Sequence, residues 1–271
     1  MKSILISCLL FILDTGSSLA KDLMVYIHYG ENEEISHYTE LQESLYDMGL
    51  DMIEFLINRN KSIEENALCI SSAINSYRKD NDSAEVIVMS DKKSSFVAID
   101  LLSKDTSIIA WIALSGTFCD GDESLYNEAS VSINTEMLDS VFFDNRKEKY
   151  LSSINKMIES AKKGKKPALP CDADDYMRNL HVLLNSRYGR SLVTFSPADY
   201  YDSIPAWIIP LFCNSKHESE LFLNIGKLVR LRTNSNTKLI RPVPYSDSSI
   251  NSRIVEQVSN LLKNRSCKNT L

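Results

Sequence analysis

The chain has 271 residues, 44% of them hydrophobic, and a formal net charge of −6, enough for one α/β domain with a full core or for two small domains. Charges of both signs are interspersed, which excludes a disordered chain, and the acidic balance argues against nucleic acid as the main partner, because neutralising phosphates needs clustered Lys and Arg. The one basic run, Lys162-Lys163-Gly164-Lys165-Lys166, stands before a Pro-containing connection and reads as a solvated linker.

Residues 1–20 have the pattern of a signal peptide. Lys2 supplies a short positive start, Ile4 to Leu13 an apolar core, and Ser18-Leu19-Ala20 the small residues of a cleavage site before Lys21. The apolar run, interrupted by Asp14, is too short for a bilayer, which needs about 20 residues. The expectation is an exported protein, periplasmic or secreted, that starts near Lys21 and has no membrane span. Cleavage would leave Cys69, Cys119, Cys171, Cys213 and Cys267, an odd number, so at least one thiol stays unpaired within the chain. None has metal-site spacing. Cys69 and Cys213 lie in apolar stretches and read as small buried hydrophobes.

Leu23 to Ile27 reads as a buried strand running into His28-Tyr29-Gly30. A helical stripe follows from Ile35 to Met48, stopped by Gly49 in the usual C-terminal position. Asp51 to Ile57 is the next strand, and Ser62 with Glu65 makes a capping box for a helix through Tyr77. Val86-Ile87-Val88-Met89 is rich in β-branched residues, as in a strand buried on both faces. The chain then breaks into Ser90-Asp91-Lys92-Lys93-Ser94-Ser95 before apolar residues resume at helical spacing from Phe96 to Leu102. Ile108 to Leu114 is another buried strand, so the first part predicts alternating strands and helices in a parallel sheet. From Thr117 to about Ser203 the rhythm changes to helical periodicity, at Glu148–Ala161 and Asp174–Asn185, with polar links. A strand is expected at Ile204 to Ile209, a helix near Glu218 to Leu231, a strand at Thr237 to Arg241, and a closing helix from Ile250 to Asn264.

Strand, tight turn, helix is the frame of a nucleophile elbow, whose flanks must be small because its central residue sits in a strained, crowded turn. Ser90 and Ser94 stand at the small positions and Lys92 at the centre. Over the chain from residue 21 onward this order resembles the α/β-hydrolase superfamily. The resemblance rests on His28-Tyr29-Gly30, which looks like the family's His-Gly oxyanion turn, on Leu45 to Leu50, on the elbow, and on Ile108 to Gly116. It rests also on Ile204 to Ile209, like the strand carrying the catalytic acid, and on Thr237 to Asp247, like the last strand and the histidine loop. It implies an α/β-hydrolase fold, a mostly parallel central sheet with helices on both faces. Its core would lie in 21–116 and 204–271, with a helical cap insertion at 117–203.

Carried over residue by residue, the resemblance puts Lys92 at the nucleophile position, Asn214 at the acid position (with Glu218 the nearest carboxylate) and Asp247 at the histidine position. A shift of one would make Asp91 the nucleophile but set Met89 and Lys93 where small residues belong. Lys93 would join His28, Tyr29 and Gly30 around the oxyanion position. No histidine lies beyond His217, and His28, His37, His181 and His217 all fall outside the loop that should supply the base. Losing one triad member costs about 10⁴-fold in rate. The leading expectation is an exported pseudoenzyme with a degenerate triad, acting by binding an unidentified small ligand or protein partner, without a cofactor or metal. The alternative is an active esterase- or lipase-like hydrolase or acyltransferase with a rearranged site built from Ser90, Asp91 or Ser94, with His217 or His28 as base. A third reading is a doubly wound protein of another kind that binds a ligand at the carboxyl edge of its sheet. Lys92-Lys93 ahead of a helix reads either as an anion site or as two solvated lysines. Tyr188, Tyr200 and Tyr201 read as lining a cleft under the insertion or as packing.

Overall fold

A computed structural model describes residues 21–30, 35–136, 143–213, 224, 226–230, 238–239, 243–245 and 249–266. The β-branched runs form the strands β1 (Asp22–His28), β2 (Leu50–Leu56), β3 (Val86–Asp91), β4 (Ile108–Leu114), β5 (Trp207–Cys213) and β6 (Val243–Tyr245). All pair in parallel, in the order β2-β1-β3-β4-β5-β6. Parallel neighbours need crossovers, and the helices α1 (Ile35–Asp47), α2 (Ile63–Asp80) and α3 (Ser95–Lys104) supply them between β1 and β4. The order reverses between β1 and β3, so the chain leaves these two neighbouring strands toward opposite sides, the place where open α/β sheets generally leave room for a ligand.

Strand alternation sorts the core into two layers. Leu23, Val25, Ile27, Val86, Val88 and Trp111 face one way and pack against α2, α3 and the helical insertion. Met24, Tyr26, Ile87, Met89 and Ile112 face the other way, against Leu41 and Leu45 of α1 and against Ile254 and Val258 of the closing helix, α8 (Ile250–Ser266). With both faces covered, the central strands read as continuous apolar runs rather than alternating ones, as expected for a parallel sheet.

Local signals hold where they carry a specific mechanism. Ser62 caps α2 by accepting the Glu65 N–H while Glu65 accepts the Ser62 N–H, the reciprocal box expected from the sequence. Gly49 follows α1 at φ +84°, which only glycine adopts without strain, and its N–H returns to the Tyr46 carbonyl.

The insertion between β4 and β5 is helical, with α4 (Gly121–Glu136), α5 (Phe143–Lys162), α6 (Asp175–Asn185) and α7 (Arg187–Leu192) among the described residues. The sequence reading missed α4 and α7, which are too weakly amphipathic or too short to show a stripe, and started α5 five residues late (148 against 143). Two glycines let the insertion close tightly: a Cβ on Gly121 would fall 1.8 Å from the Leu192 carbonyl oxygen, and one on Gly189 2.0 Å from that of Leu183.

Two other expectations, one strand and the burial of Cys69, are corrected. The strand placed at Ile204–Ile209 is β5 at Trp207–Cys213, because a 3₁₀ turn, Tyr201–Ser203, occupies the residues before it. Of the strand expected at Thr237–Arg241 only 238 and 239 are among the described residues, and there Leu239 bridges Ile208 in parallel. Ile208 gives its N–H to the Lys238 carbonyl at 2.8 Å. Cys69 is exposed rather than buried, since α2 buries Asn66, Ala67 and Ile70 and turns Cys69 outward toward the Lys61 ammonium, 2.7 Å away. Of the two readings of the insertion's tyrosines, packing is the one observed: Tyr188 and Tyr201 are fully buried, and Tyr200 stacks on Phe195 at 4.6 Å.

Cys69, Cys119 and Cys171 form no disulfide; the Cys213 side chain and Cys267 lie outside the described residues, as do residues 1–20 and most of the helix expected near 218–231, of which 224 and 226–230 are helical. Among the described residues no helix is long and apolar enough to cross a membrane. The Tyr201 hydroxyl is buried without a hydrogen-bond partner among the described residues, which costs free energy relative to its hydrated state in the unfolded chain. Replacing Tyr201 by Phe removes that cost and leaves the ring packing intact. The expected outcome in urea denaturation is unchanged or raised stability, by up to about 1 kcal/mol, rather than the loss typical of a buried tyrosine.

Candidate functional site

The carboxyl end of β3 meets the carboxyl end of β1 at the reversal point, and there the β3–α3 connection makes its tight turn. Lys92 sits at the apex with φ +32°, a left-handed conformation that a side chain with a Cβ adopts at a cost of about 1–3 kcal/mol. The turn persists because its neighbours over-determine it. Ser94 is fully buried, and its hydroxyl accepts the Asp91 N–H at 2.8 Å. The hydroxyl's own proton points to the Ile27 carbonyl at 2.7 Å or the Asp91 carboxylate at 3.0 Å. Ser90, also fully buried, accepts the Trp111 indole N–H at 2.8 Å. Ser95 accepts the Thr117 N–H at 3.3 Å, tying the start of α3 to the exit of β4. The turn thus needs small residues at 90 and 94, as the elbow frame requires, and their hydroxyls are taken up in holding it together.

The apex side chain is another matter: Lys92 is exposed and has no ion-pair partner among the described residues. Lys93 turns inward over the sheet edge. Its ammonium meets the Glu128 carboxylate of α4 at 2.8 Å, and its carbonyl accepts the Tyr188 hydroxyl at 2.7 Å. Tyr188, carried by α7, is therefore driven into the core directly beside the elbow, and its ring lies 5.5 Å from that of Tyr29. Burial raises the pKa of both phenols; for Tyr29 the Arg59 guanidinium opposes the rise and Glu128 adds to it.

Asp91, on the other face of the strand, takes a hydrogen bond from the Tyr26 hydroxyl at 3.2 Å. Burial lifts its pKa above the ordinary carboxylate value, while the Ser94 and Tyr26 hydroxyls and the charges of His28 and Lys92 pull it back. His28 is buried, stacked on Tyr26 at 5.2 Å, with Nδ1 3.3 Å from the Gly30 carbonyl oxygen. Gly30 turns the chain at φ +100°.

The structure thus brings together Ser90, Asp91, Lys92, Lys93, Ser94, His28, Tyr29 and Gly30. It keeps His181 away: that ring sits on α6 with Nε2 3.2 Å from the Pro167 carbonyl oxygen, inside the insertion. Asn214, His217, Glu218 and Asp247 lie outside the described residues, as does the His37 side chain. Sequence reading missed three participants. Tyr26 was assigned only to a strand. Arg59, in the turn after β2, could have been found by asking which loops leave the carboxyl edge. Glu128 had no signal, because α4 itself was not foreseen.

No family model and no curated protein sequence matches the chain. Solved structures do. One is Est1E from Butyrivibrio proteoclasticus, at 14% identity and a TM-score of 0.52, covering 92% of this chain and 90% of that one. Another is a highly thermostable carboxyl esterase from Bacillus coagulans, at 11% identity and 0.52, covering 91% of each chain. A third is a monoacylglycerol lipase from Paleococcus ferrophilus, at 14% identity and 0.51, covering 86% and 93%. With the parallel sheet and the strained turn after β3, these likenesses identify the fold: it is that of the α/β-hydrolase superfamily. At such identities the likeness concerns the fold alone, and chemistry has to be argued from the residues present.

The Asp91 site yields a pH-dependent prediction. A carboxyl whose pKa is higher in the folded than in the unfolded state destabilises the fold once pH exceeds the unfolded value, because the unfolded chain ionises more easily. Asp91→Asn removes that penalty. The expected thermal unfolding result is a difference in Tm, variant minus parent, that is smallest below the ordinary aspartate pKa of about 3.9. It then moves in favour of the variant as pH rises toward neutrality. A difference that does not change with pH would contradict the buried-carboxyl assignment.

Proposed function

We propose that this protein is an exported α/β-hydrolase-fold protein that binds a ligand at the carboxyl edge of its sheet and does not run Ser-His-Asp hydrolysis, a pseudoenzyme under a helical cap. The observation that carries the reading is the occupant of the elbow: an exposed lysine at the apex, with both neighbouring serine hydroxyls buried in structural hydrogen bonds. A nucleophilic serine needs its oxygen presented to substrate; Ser90 and Ser94 are fully buried, with their hydroxyls in structural hydrogen bonds. Lysine becomes a nucleophile when a dry pocket or a second cation suppresses its charge, whereas Lys92 stands in solvent. Tyr188, packed beside the elbow, supports the same reading, since it occupies space next to the apex with a side chain that α7 holds fixed.

A second reading rests on Asp91. Tyr26 joins it to His28, giving its hydroxyl to Asp91 and stacking on the imidazole at 5.2 Å, so a carboxylate nucleophile with a rearranged base is the specific rival. One assay addresses both. Residues 21–271 are incubated with 4-nitrophenyl acetate and butyrate, beside Asp91→Asn, Ser94→Ala and Lys92→Ala. The expected result is release at the buffer rate for every form. Turnover in the parent that disappears in one of the three variants would end the binding-only reading and name the nucleophile.

Export is supported by the positive, apolar and small-residue order of residues 1–20. Expressing the full chain in a bacterial host and sequencing the product from the periplasm should return a protein starting at Lys21. Recovery only from the cytoplasm with Met1 intact would contradict export.

A further inference from the structure

We infer that the β2 edge of the sheet is a dimerisation surface, on which the β2 strands of two copies of this chain pair antiparallel about a two-fold axis through Ile53. Among the described residues β2 is a terminal strand and pairs only with β1. Ile57 gives its N–H to the His28 carbonyl, and Gly49 accepts that of Asp22, so the odd-numbered residues of this stretch address β1. Alternation then turns the N–H and C=O groups of Leu50, Met52, Glu54 and Leu56 outward. The two edges of the sheet differ in their protection. At the far end β6 is three residues long and carries Pro244, and both features blunt an edge. β2 runs seven residues, Leu50–Leu56, with no Pro, Gly, Lys or Arg. Its apolar side chains stay near the surface: Met52, Ile53 and Phe55 are half-buried and Leu56 is 52% exposed. A long, bare, apolar edge is a template for another strand.

The strand best fitted to it is β2 itself. With the axis through Ile53 all of β2 overlaps, Leu50 facing Leu56 of the second copy, Asp51 facing Phe55, and Met52 facing Glu54. Each outward residue then meets another, giving about eight backbone hydrogen bonds, whereas an axis moved to Met52 or Glu54 keeps about six. The Glu54 axis would also set two carboxylates directly opposite, which is unfavourable. The strand's other acid, Asp51, enters already satisfied, by the Tyr77 hydroxyl at 2.8 Å and the Lys21 ammonium at 3.4 Å. Charge at the two ends of the strand is complementary. Exposed Asp47 closes α1 just before β2, and exposed Arg59 stands in the turn just after it. Antiparallel pairing brings the Arg59 end of each copy to the Asp47 end of the other. Because both copies use the same patch, the contact closes at two chains instead of propagating into a filament.

The test expresses the chain at full length and purifies it as the host processes it. Sedimentation equilibrium over a micromolar concentration series is combined with amide hydrogen exchange at both ends of that series. The expected result is a reversible monomer–dimer equilibrium, with the Met52, Glu54 and Leu56 amides exchanging fast when dilute and protected when concentrated. Glu54→Pro keeps the ladder to β1, since its N–H faces outward, but deletes two bonds per dimer and should weaken association about tenfold. Ile53→Lys sets two ammonium groups opposite each other at the axis and should also weaken it. Glu54→Gln should strengthen it about threefold, by relieving the repulsion of two diagonal carboxylates. Val182→Lys, at an exposed position of α6, should leave it unchanged. Variants count only if their circular dichroism matches the parent's; if neither weakening variant folds, the concentration dependence of exchange in the parent decides. The inference falls if the chain sediments as a monomer throughout, or if a dimer survives both Glu54→Pro and Ile53→Lys undiminished. It falls also if the three amides are protected in the monomer, which would assign the edge to another segment of the same chain, residues 1–20 if protection is lost with them.

Discussion

The structure depends on one buried hydroxyl. Ser94 takes the Asp91 N–H and lies within bonding distance of the Ile27 carbonyl, so a single oxygen joins the end of β3 to the end of β1 at the point where strand order reverses. With the Ser90–Trp111 and Ser95–Thr117 hydrogen bonds it offsets the strain of the left-handed turn at Lys92 and lets β3 pass sharply into α3.

The helical insertion is bound to this turn rather than resting on it. Tyr188 gives its hydroxyl to the Lys93 carbonyl and its own N–H to the Arg59 carbonyl, so α7 bridges the two connections that carry the cations. Lys93 returns the link through Glu128 on α4. Gly121 and Gly189 permit backbone approaches that any side chain would block. These contacts make the insertion part of the core. Any motion that lifted it would have to break a buried hydrogen bond and expose a tyrosine.

The solved structures of like fold include esterases and a lipase, yet what this chain shares with them is the frame. A strained strand-to-helix turn at the edge of a parallel sheet is a general device for presenting one side chain at a crevice. When the presented residue is lysine, the same strain places a cation where an attacking oxygen would otherwise stand.

The order of strands and helices through β4, the capping box at Ser62 and Glu65, the stop at Gly49 and the elbow with its small flanks were all legible in the sequence. Each is set by local physics: periodicity, a cap, a positive φ, a crowded turn. Two lysines at the elbow were visible too, though not which would be neutralised. Residues distant along the chain decided that, and with it the site. Glu128 lies 35 positions from Lys93 and Tyr188 95 positions away; α4, which carries Glu128, has too weak a stripe to announce itself, and α7 is too short. Cys69 reads as buried from its apolar neighbours, yet it faces solvent, because the face a helix buries is chosen by the sheet beneath it. The arrival of Arg59 over Tyr29 was likewise settled only when β1 and β2 paired in register and brought their carboxyl ends together.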